Sequence, residues 1–263
     1  GESMRTLYID CTNGASGDML LRALKELAEQ FELELESRDY CGDHGHEHHH
    51  HGDHHHDHAG HDGHGHGGQA DHHHDHGHGR SFNDVKHIIG HAQASDRAKE
   101  IATGIYTVIA KAESTVHEAT LETVHFHEVG RDQAINNAIG IGAAIDALKI
   151  DEIVTSAICD GSGFVDCAHG RIPVPVPAVR AMMDLCGKEY PGFEFRTCED
   201  VDTEMVTPSG LASVIGMGAK PAQASPGSDD GMMMIQGQVK AMAEAQGTRD
   251  TGRSGLKMYV IEG

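Results

Sequence analysis

The sequence predicts an α/β (or α+β) domain: a mixed sheet with flanking helices and a disordered His-rich insertion. Three observations carry this. A short apolar run ends in a glycine-containing turn and leads into residues that recur at helical spacing. Further helix-like and strand-like stretches follow in mixed order. Residues 40–80 show no periodicity and almost no apolar content, so they bury too little surface to offset the entropy of ordering. The domain is expected over residues 4–263, interrupted by that insertion.

Taken in order, Thr6 to Cys11 reads as a strand through Leu7, Tyr8 and Ile9. Ser16 suits an N-cap, with Asp18 favourably placed in the first helical turn. Met19, Leu20, Ala23, Leu24, Leu27 and Phe31 then mark one helix face. Order is expected to return at Phe82, where Val85, Ile88 and Ile89 indicate a short helix. A longer helix is predicted from Ser95 to Val116, with Ala98, Ile101, Ile105, Val108, Ile109 and Ala112 on one face. Another is expected over Gln133–Leu148. Glu152–Cys159 reads as one strand, and Gly161–Gly170 as turn residues. Pro173, Pro175 and Pro177 block regular structure before a helix over Ala178–Cys186. Phe193–Thr197 and Leu256–Ile261 read as strands, and Gly216–Gly231 as a loop or linker.

Composition narrows the function. The formal charge of −21 over 263 residues disfavours nucleic acid and anionic membranes as partners, and suits a protein that handles cations. No apolar run approaches the roughly 18 residues of a membrane span. No secretory signal precedes Met4, and Gly1–Ser3 reads as a cloning remnant. None of the six cysteines forms a C-x-x-C pair, which points to reduced thiols and a cytoplasmic location. The chain has no Trp, which disfavours a stacking platform for single-stranded nucleic acid.

The strongest chemical signal is a tract from His44 to His78, in which eighteen of thirty-five residues are histidine, set among Asp and Gly. Neutral imidazole suits zinc, copper, nickel and iron. The runs His48, His49 and His50, then His54, His55 and His56, then His72, His73 and His74 are the densest candidate ligands.

Four further groups could carry chemistry, and each has a plain structural reading beside it. In Asp10–Met19, a turn between strand and helix would offer backbone N–H groups at Ser16, Gly17 and Asp18 to a phosphate or carboxylate, with Asp10 at the strand's C-terminal end. The plain alternative is a tight turn and a capped helix. In Val124–Gly130, an extended segment would point His125 and His127 the same way, as metal ligands or as ligand and base. Glu128 would face away unless a turn at Gly130 brings it round, and the plain alternative is two solvent-facing strand residues. Gly161, Ser162 and Gly163 allow close backbone approach to a ligand, and His169 and Arg171 could supply a base and an anion-binding fork. A glycine-rich hairpin explains that stretch equally well. Thr207 before Pro208 suits a helix N-cap, and the bland reading explains most of Glu204–Gly210.

Together the ordered series RTLYIDCTNGASGDML, VHFHEVG, GSGFVDCAHGRIPVPVPA, EMVTPSGLA and GTRD, placed around a His-rich insertion, resembles the LarC nickel-insertion family. The resemblance implies insertion of nickel(II) into pyridinium-3,5-bisthiocarboxylic acid mononucleotide. Two Ni–S bonds and one Ni–C bond form, giving the nickel-pincer nucleotide cofactor of lactate racemase, in a CTP-dependent reaction supported by manganese or magnesium. It implies that His125 and His127 are nickel-transfer ligands, ahead of His169 as base, and that the Asp10–Asp18 turn and Arg171 help hold the mononucleotide. It also implies a separate CTP-binding C-terminal domain as partner, a racemase or related apo-enzyme as recipient, and possible homo-oligomers. Gln133 and Asn137 stand where the family typically carries two aspartates at i, i+4, which points to weakened metal coordination because an amide supplies no negative charge. The alternative is a non-catalytic nickel metallochaperone or storage protein. A third reading is a relic of the fold whose tract only buffers metal.

Overall fold

A computed structural model describes residues 3–35, 38–42, 79–168 and 170–263. The histidine tract and its expected disorder lie outside the described residues, as does His169, although Tyr40–Gly42 and Gly79–Arg80 at the margins of the expected insertion are described.

The centre is a five-stranded mixed sheet. β1 (Arg5–Asp10) lies between the antiparallel β11 (Leu256–Glu262) and the parallel β4 (Glu152–Thr155). β10 (Gln238–Ala245) and β9 (Lys220–Pro221) form the two edges, in the order β10-β11-β1-β4-β9. Pro221, which has no N–H to donate, occupies an edge position. Leu7 and Ile9 on one sheet face join the main core, while Tyr8 on the other packs with Val154, Ile261 and Tyr259.

The helices cover the Leu7 face. α1 (Gly17–Gln30) lies on β10 and β11. α2 (Phe82–His91), α3 (Asp96–Val116), α4 (Asp132–Ala147), α5 (Pro177–Glu189) and α6 (Pro208–Gly216) complete the helical layer, with α3 packed against α2, α4, α5 and α6. Three of the predicted helices begin where the sequence places a cap. Ser16 accepts from the Met19 N–H, Ser95 from the Ala98 N–H, and Thr207 from the Gly210 N–H. Ser81 and Asp84 form a reciprocal capping box at α2.

The structure differs from expectation in four places. The stretch Gly216–Gly231, expected as a loop or linker, holds β9 and the start of a 3-10 turn over Asp230–Met234, because the parallel edge of β4 pairs with Lys220 and Pro221. The single strand expected over Glu152–Cys159 is two, because the chain leaves the main sheet at Ser156, whose hydroxyl accepts from the Cys11 N–H and donates to the Ala157 carbonyl. β5 (Ile158–Asp160) then pairs in parallel with β8 (Phe195–Thr197). The region 161–170, read as turn residues with a glycine-rich hairpin as the plain alternative, is that hairpin, β6 (Phe164–Cys167) against β7 (Gly170–Pro173). β10 is unanticipated: its Ala, Lys, Glu and Gln content is poor in strand formers, although Ala241, Ala243 and Ala245 alternate inward. The two remaining strands, β2 (Arg80–Ser81) and β3 (His125–Phe126), form a small ribbon.

Asp160, buried at the end of β5, ties these parts together. Its Oδ1 accepts from the N–H groups of Gly161, Met205 and Val206 at 2.8, 2.9 and 3.0 Å, while its Oδ2 is buried without a partner. Burial pushes its carboxyl above the ordinary range, against the pull of those three N–H donors. A raised folded-state value favours the protonated form, so this contribution to stability is complete at acid pH and is lost as pH rises through that value. Asp160→Asn keeps the accepting oxygen and removes the charge. Its unfolding midpoint relative to the wild type is therefore expected to rise as pH is raised from below the ordinary carboxylate range towards neutrality, as measured by urea denaturation; a difference that stays constant with pH would contradict this account.

Candidate active site

Two strand-to-helix turns meet back to back. The Ala15 N–H donates to the Met205 carbonyl and the Thr207 N–H to the Ala15 carbonyl, both at 3.0 Å, forming a short parallel bridge between Ala15 and Val206. Only glycine permits this approach. A Cβ at Gly14, whose φ is +92°, would lie 2.3 Å from the Met205 carbonyl oxygen, and one at Gly210 would lie 2.2 Å from that of Ala15. The N-termini of α1 and α6 are thereby placed side by side, each with its cap satisfied by a hydroxyl, and α6 opens on Pro208, which has no N–H of its own.

Two cavities flank this junction. One, about 70 Å³, is lined by Asn13, Ser16, Glu204, Thr207, Arg249 and Thr251, among others. It joins the first, fourth and fifth sequence motifs. The other, about 300 Å³, is lined by Gly17, Tyr106, Glu128, Gln133, Asn137 and Ser209, among others. It brings the second motif to the same helix termini.

The second motif is held firmly. Phe126 is buried against Phe82 and Tyr106. The Tyr106 hydroxyl donates to the Val129 carbonyl at 2.6 Å, and Arg80 donates to the Gly130 carbonyl while pairing with Asp132. Val124 and Phe126 point inward, whereas His125 and His127 are both exposed, so the expected alternation holds over these residues. The strand nevertheless ends at Phe126, and His127 precedes a 3-10 turn over Glu128–Gly130. That turn carries Glu128 to the larger cavity. His125 Nδ1 lies 2.8 Å from the Thr123 carbonyl, which fixes that ring.

Other predicted residues sit elsewhere. The Asp10 carboxylate accepts from the backbone and hydroxyl of Thr12 at 3.0 and 2.6 Å, stabilising the turn itself, and lines neither cavity. Gly161 packs on the Thr203 carbonyl, Ser162 bonds to the Val201 carbonyl, and Gly163 lies against Asp202; they buttress the loop that leads to Glu204. Arg171 stacks over exposed Phe164 on the β6–β7 hairpin, with 4.8 Å from guanidinium carbon to ring centre, and lines neither cavity. Among the described residues, no group of three or more His, Cys, Asp or Glu is arranged to hold a metal ion.

Sequence reasoning passed over Glu204 and Arg249 as site residues. Glu204 is buried, and its Oε2 lies 3.3 Å from an Arg249 guanidinium nitrogen. Burial pushes its carboxyl upward, and Asp160 and Glu128 add to the effect while Arg249 opposes it. A carboxyl raised in this way holds a proton more readily than a free one. The signal was an acid directly ahead of a capped helix, which periodicity alone reads as loop.

The family is decided by comparison with known proteins. Residues 7–251 match the family model described as nickel insertion protein. This chain belongs to the nickel insertion protein family. Among its relatives, a protein of Acetivibrio thermocellus named pyridinium-3,5-bisthiocarboxylic acid mononucleotide nickel insertion protein is 33% identical over 95% of this chain and 58% of its own length. A protein of the same name from Alkaliphilus metalliredigens is 33% identical over 97% and 60%. One from Lactiplantibacillus plantarum is 38% identical over 80% and 52%. The chain thus spans a little over half the length of these relatives. No solved structure matches it. The family's handled metal is nickel, and no helix among the described residues is long and apolar enough to cross a membrane.

The amides at 133 and 137 make a chain. Gln133 Nε2 donates to Asn137 Oδ1 at 3.0 Å, and Asn137 Nδ2 donates to Asp18 Oδ1 at 3.2 Å. Carboxylates at both positions would stand beside Asp18 as a cluster of three like charges. Gln133→Asp combined with Asn137→Asp is expected to lower the melting temperature in chelator and to recover it on addition of manganese or nickel. A melting temperature indifferent to either metal would rule out convergence of the three groups. Separately, Gly210→Ala, which in an open helix would stabilise, is expected to destabilise the fold by about 1–3 kcal/mol in urea unfolding, because the added methyl meets the Ala15 carbonyl.

Proposed function

We propose that this chain receives nickel(II) and holds pyridinium-3,5-bisthiocarboxylic acid mononucleotide while nickel is inserted, so contributing the nickel-pincer nucleotide cofactor of lactate racemase or a related enzyme. The observation that carries this is the convergence of three sequence motifs and the Glu128 turn on the adjacent N-termini of α1 and α6, in a chain of the nickel insertion family.

The substrate is an anion, with a phosphate and two thiocarboxylates. Paired helix N-termini and Arg249 favour negative charge in and beside the cavities. A cavity of about 300 Å³ is at the small end of the range for ligand sites. Nickel is the second substrate. Exposed His125 and His127 offer two imidazoles at the mouth of the Glu128 turn, and the histidine tract gathers the ion. Forming the Ni–C bond releases a ring proton, and we assign its acceptance to buried Glu204, which lines the smaller cavity beside Arg249. CTP and manganese or magnesium are the further reactants of the proposed insertion, and the chain spans 58% and 52% of the length of two relatives.

A metallochaperone is the second reading. It is favoured by the amides at 133 and 137, which supply no negative charge to a metal. The deciding experiment incubates the chain with nickel(II), CTP, manganese and the pyridinium nucleotide, with and without a family C-terminal domain, and reads reconstituted lactate racemase activity. Insertion is expected only with the added domain. His125→Ala with His127→Ala should abolish it while leaving total nickel bound almost unchanged, and deletion of residues 41–79 should spare turnover at saturating nickel. Tight nickel binding without insertion in either mixture would leave the metallochaperone.

A further inference from the structure

Two histidines outside the sites described above stand together on α2. His87 and His91 are one helical turn apart, so they share a face. Phe82, Val85, Ile88 and Ile89 turn the other face into the core, and both imidazoles are exposed. Their ring centres are 4.1 Å apart and their planes are inclined by 38°. His91 Nδ1 lies 2.9 Å from the His87 carbonyl oxygen.

We propose that His87 and His91 form a two-imidazole site for a divalent transition metal, and that nickel(II) is an ion it takes. Two imidazoles at i and i+4 on one helix face can reach a single ion. Here the rings are already adjacent on a formed helix, so binding requires side-chain adjustment only. An Nδ1–H that donates to a backbone carbonyl orients the His91 ring and leaves the lone pair on Nε2, the usual arrangement of a metal-bound histidine. The position is also favourable to a cation. His91 is the last residue of α2, and a helix C-terminus attracts positive charge. Lys99 Nζ already donates to the Gly90 carbonyl there, at 3.0 Å.

The donor set determines how the ion is held. Asp84, one turn before His87, is engaged by the Ser81 N–H in the capping box. Among the described residues no third His, Cys, Asp or Glu converges on the pair. Water therefore fills the other positions, and an ion held by two protein donors is exchanged rather than stored. Imidazole selects nickel and copper over manganese. The site is distinct from His125, which pairs in register with Ser81 at the other end of α2. His87 and His91 lie about 9 and 15 Å further along the helix axis from Ser81. The site does not rest on the insertion reading, because it needs neither the cavities nor the pyridinium nucleotide.

The test is histidine footprinting of the full chain with diethyl pyrocarbonate, with and without nickel(II) chloride in excess over the chain's histidines. Trypsin cleaves after Lys86 and Arg97, and the peptide between carries His87 and His91 and no other histidine, so the pair is read apart from the histidine tract. Modification of both rings is expected to fall severalfold with nickel(II), and to stay unchanged with manganese(II) at the same concentration. In His87→Ala the His91 ring should regain full reactivity in nickel(II), and in His91→Ala the His87 ring should do the same, because each ring is held through the other. Amide hydrogen exchange over residues 87–92 should slow with nickel(II) in the wild type and in neither variant. Undiminished modification of both rings in excess nickel(II), equal protection by manganese(II), or protection of one ring that survives loss of the other would overturn the proposal. Both substitutions lie on the exposed face, and the wild-type footprint decides the matter even where a variant fails to fold.

Discussion

The short bridge between Ala15 and Val206 is the constraint on which the rest of the site depends. Two backbone hydrogen bonds, from Ala15 to Met205 and from Thr207 to Ala15, bring a segment near the start of the chain against one some 190 residues later. They are possible only because Gly14 and Gly210 have no side chain to obstruct them. Asp160 secures the far side, accepting from the N–H groups of Met205 and Val206 so that these buried donors are satisfied. Without this arrangement α1 and α6 would each still be a capped helix. They would not present two N-termini to one ligand.

The bridge also explains why the charged groups collect there. Glu204 precedes the bridged strand residue by two positions and is carried into a buried setting, where it meets Arg249 from the loop after β10. Burial costs a carboxylate its hydration, which explains both the raised proton affinity and the need for a cationic neighbour. Glu128 reaches the other side through a different route, a 3-10 turn fastened by Tyr106 and Arg80. Local sequence thus supplies the turns, and the tertiary bridge turns them into a site.

The legibility of the chain follows the same division. Features set by neighbours in sequence were readable: β1, the N-caps at Ser16 and Thr207, the start of α3 near Ser95, and the apolar faces of α1 and α3. Features set by distant contacts were not. The break at Ser156 depends on the Cys11 backbone, and β10 is a strand because β11 pairs with it, despite a composition that disfavours strands. Glu204 belongs to the second group, since nothing in residues 198–207 announces that Arg249 will be beside it. Arg171, chosen from sequence for its chemistry, instead stacks on Phe164. The Gly161–Gly163 stretch, chosen for backbone access, instead supports the Glu204 loop.

The amides at 133 and 137 bear on how labour is divided within the chain. A carboxylate at either position would add negative charge beside Asp18 and Glu128, near the positive ends of two helices. Gln133 and Asn137 instead extend a neutral hydrogen-bonded chain from Asp18, so the cavity keeps more of the positive potential of its helix termini. That potential suits an anionic acceptor better than a free cation. The histidine tract has the opposite character, with six acids and no lysine or arginine among its imidazoles. Under the proposed function, cation gathering and anion holding therefore fall to separate stretches of one chain, each with the charge its ligand requires. His125 and His127 are exposed just ahead of the Glu128 turn, which itself lines the cavity beside the helix termini.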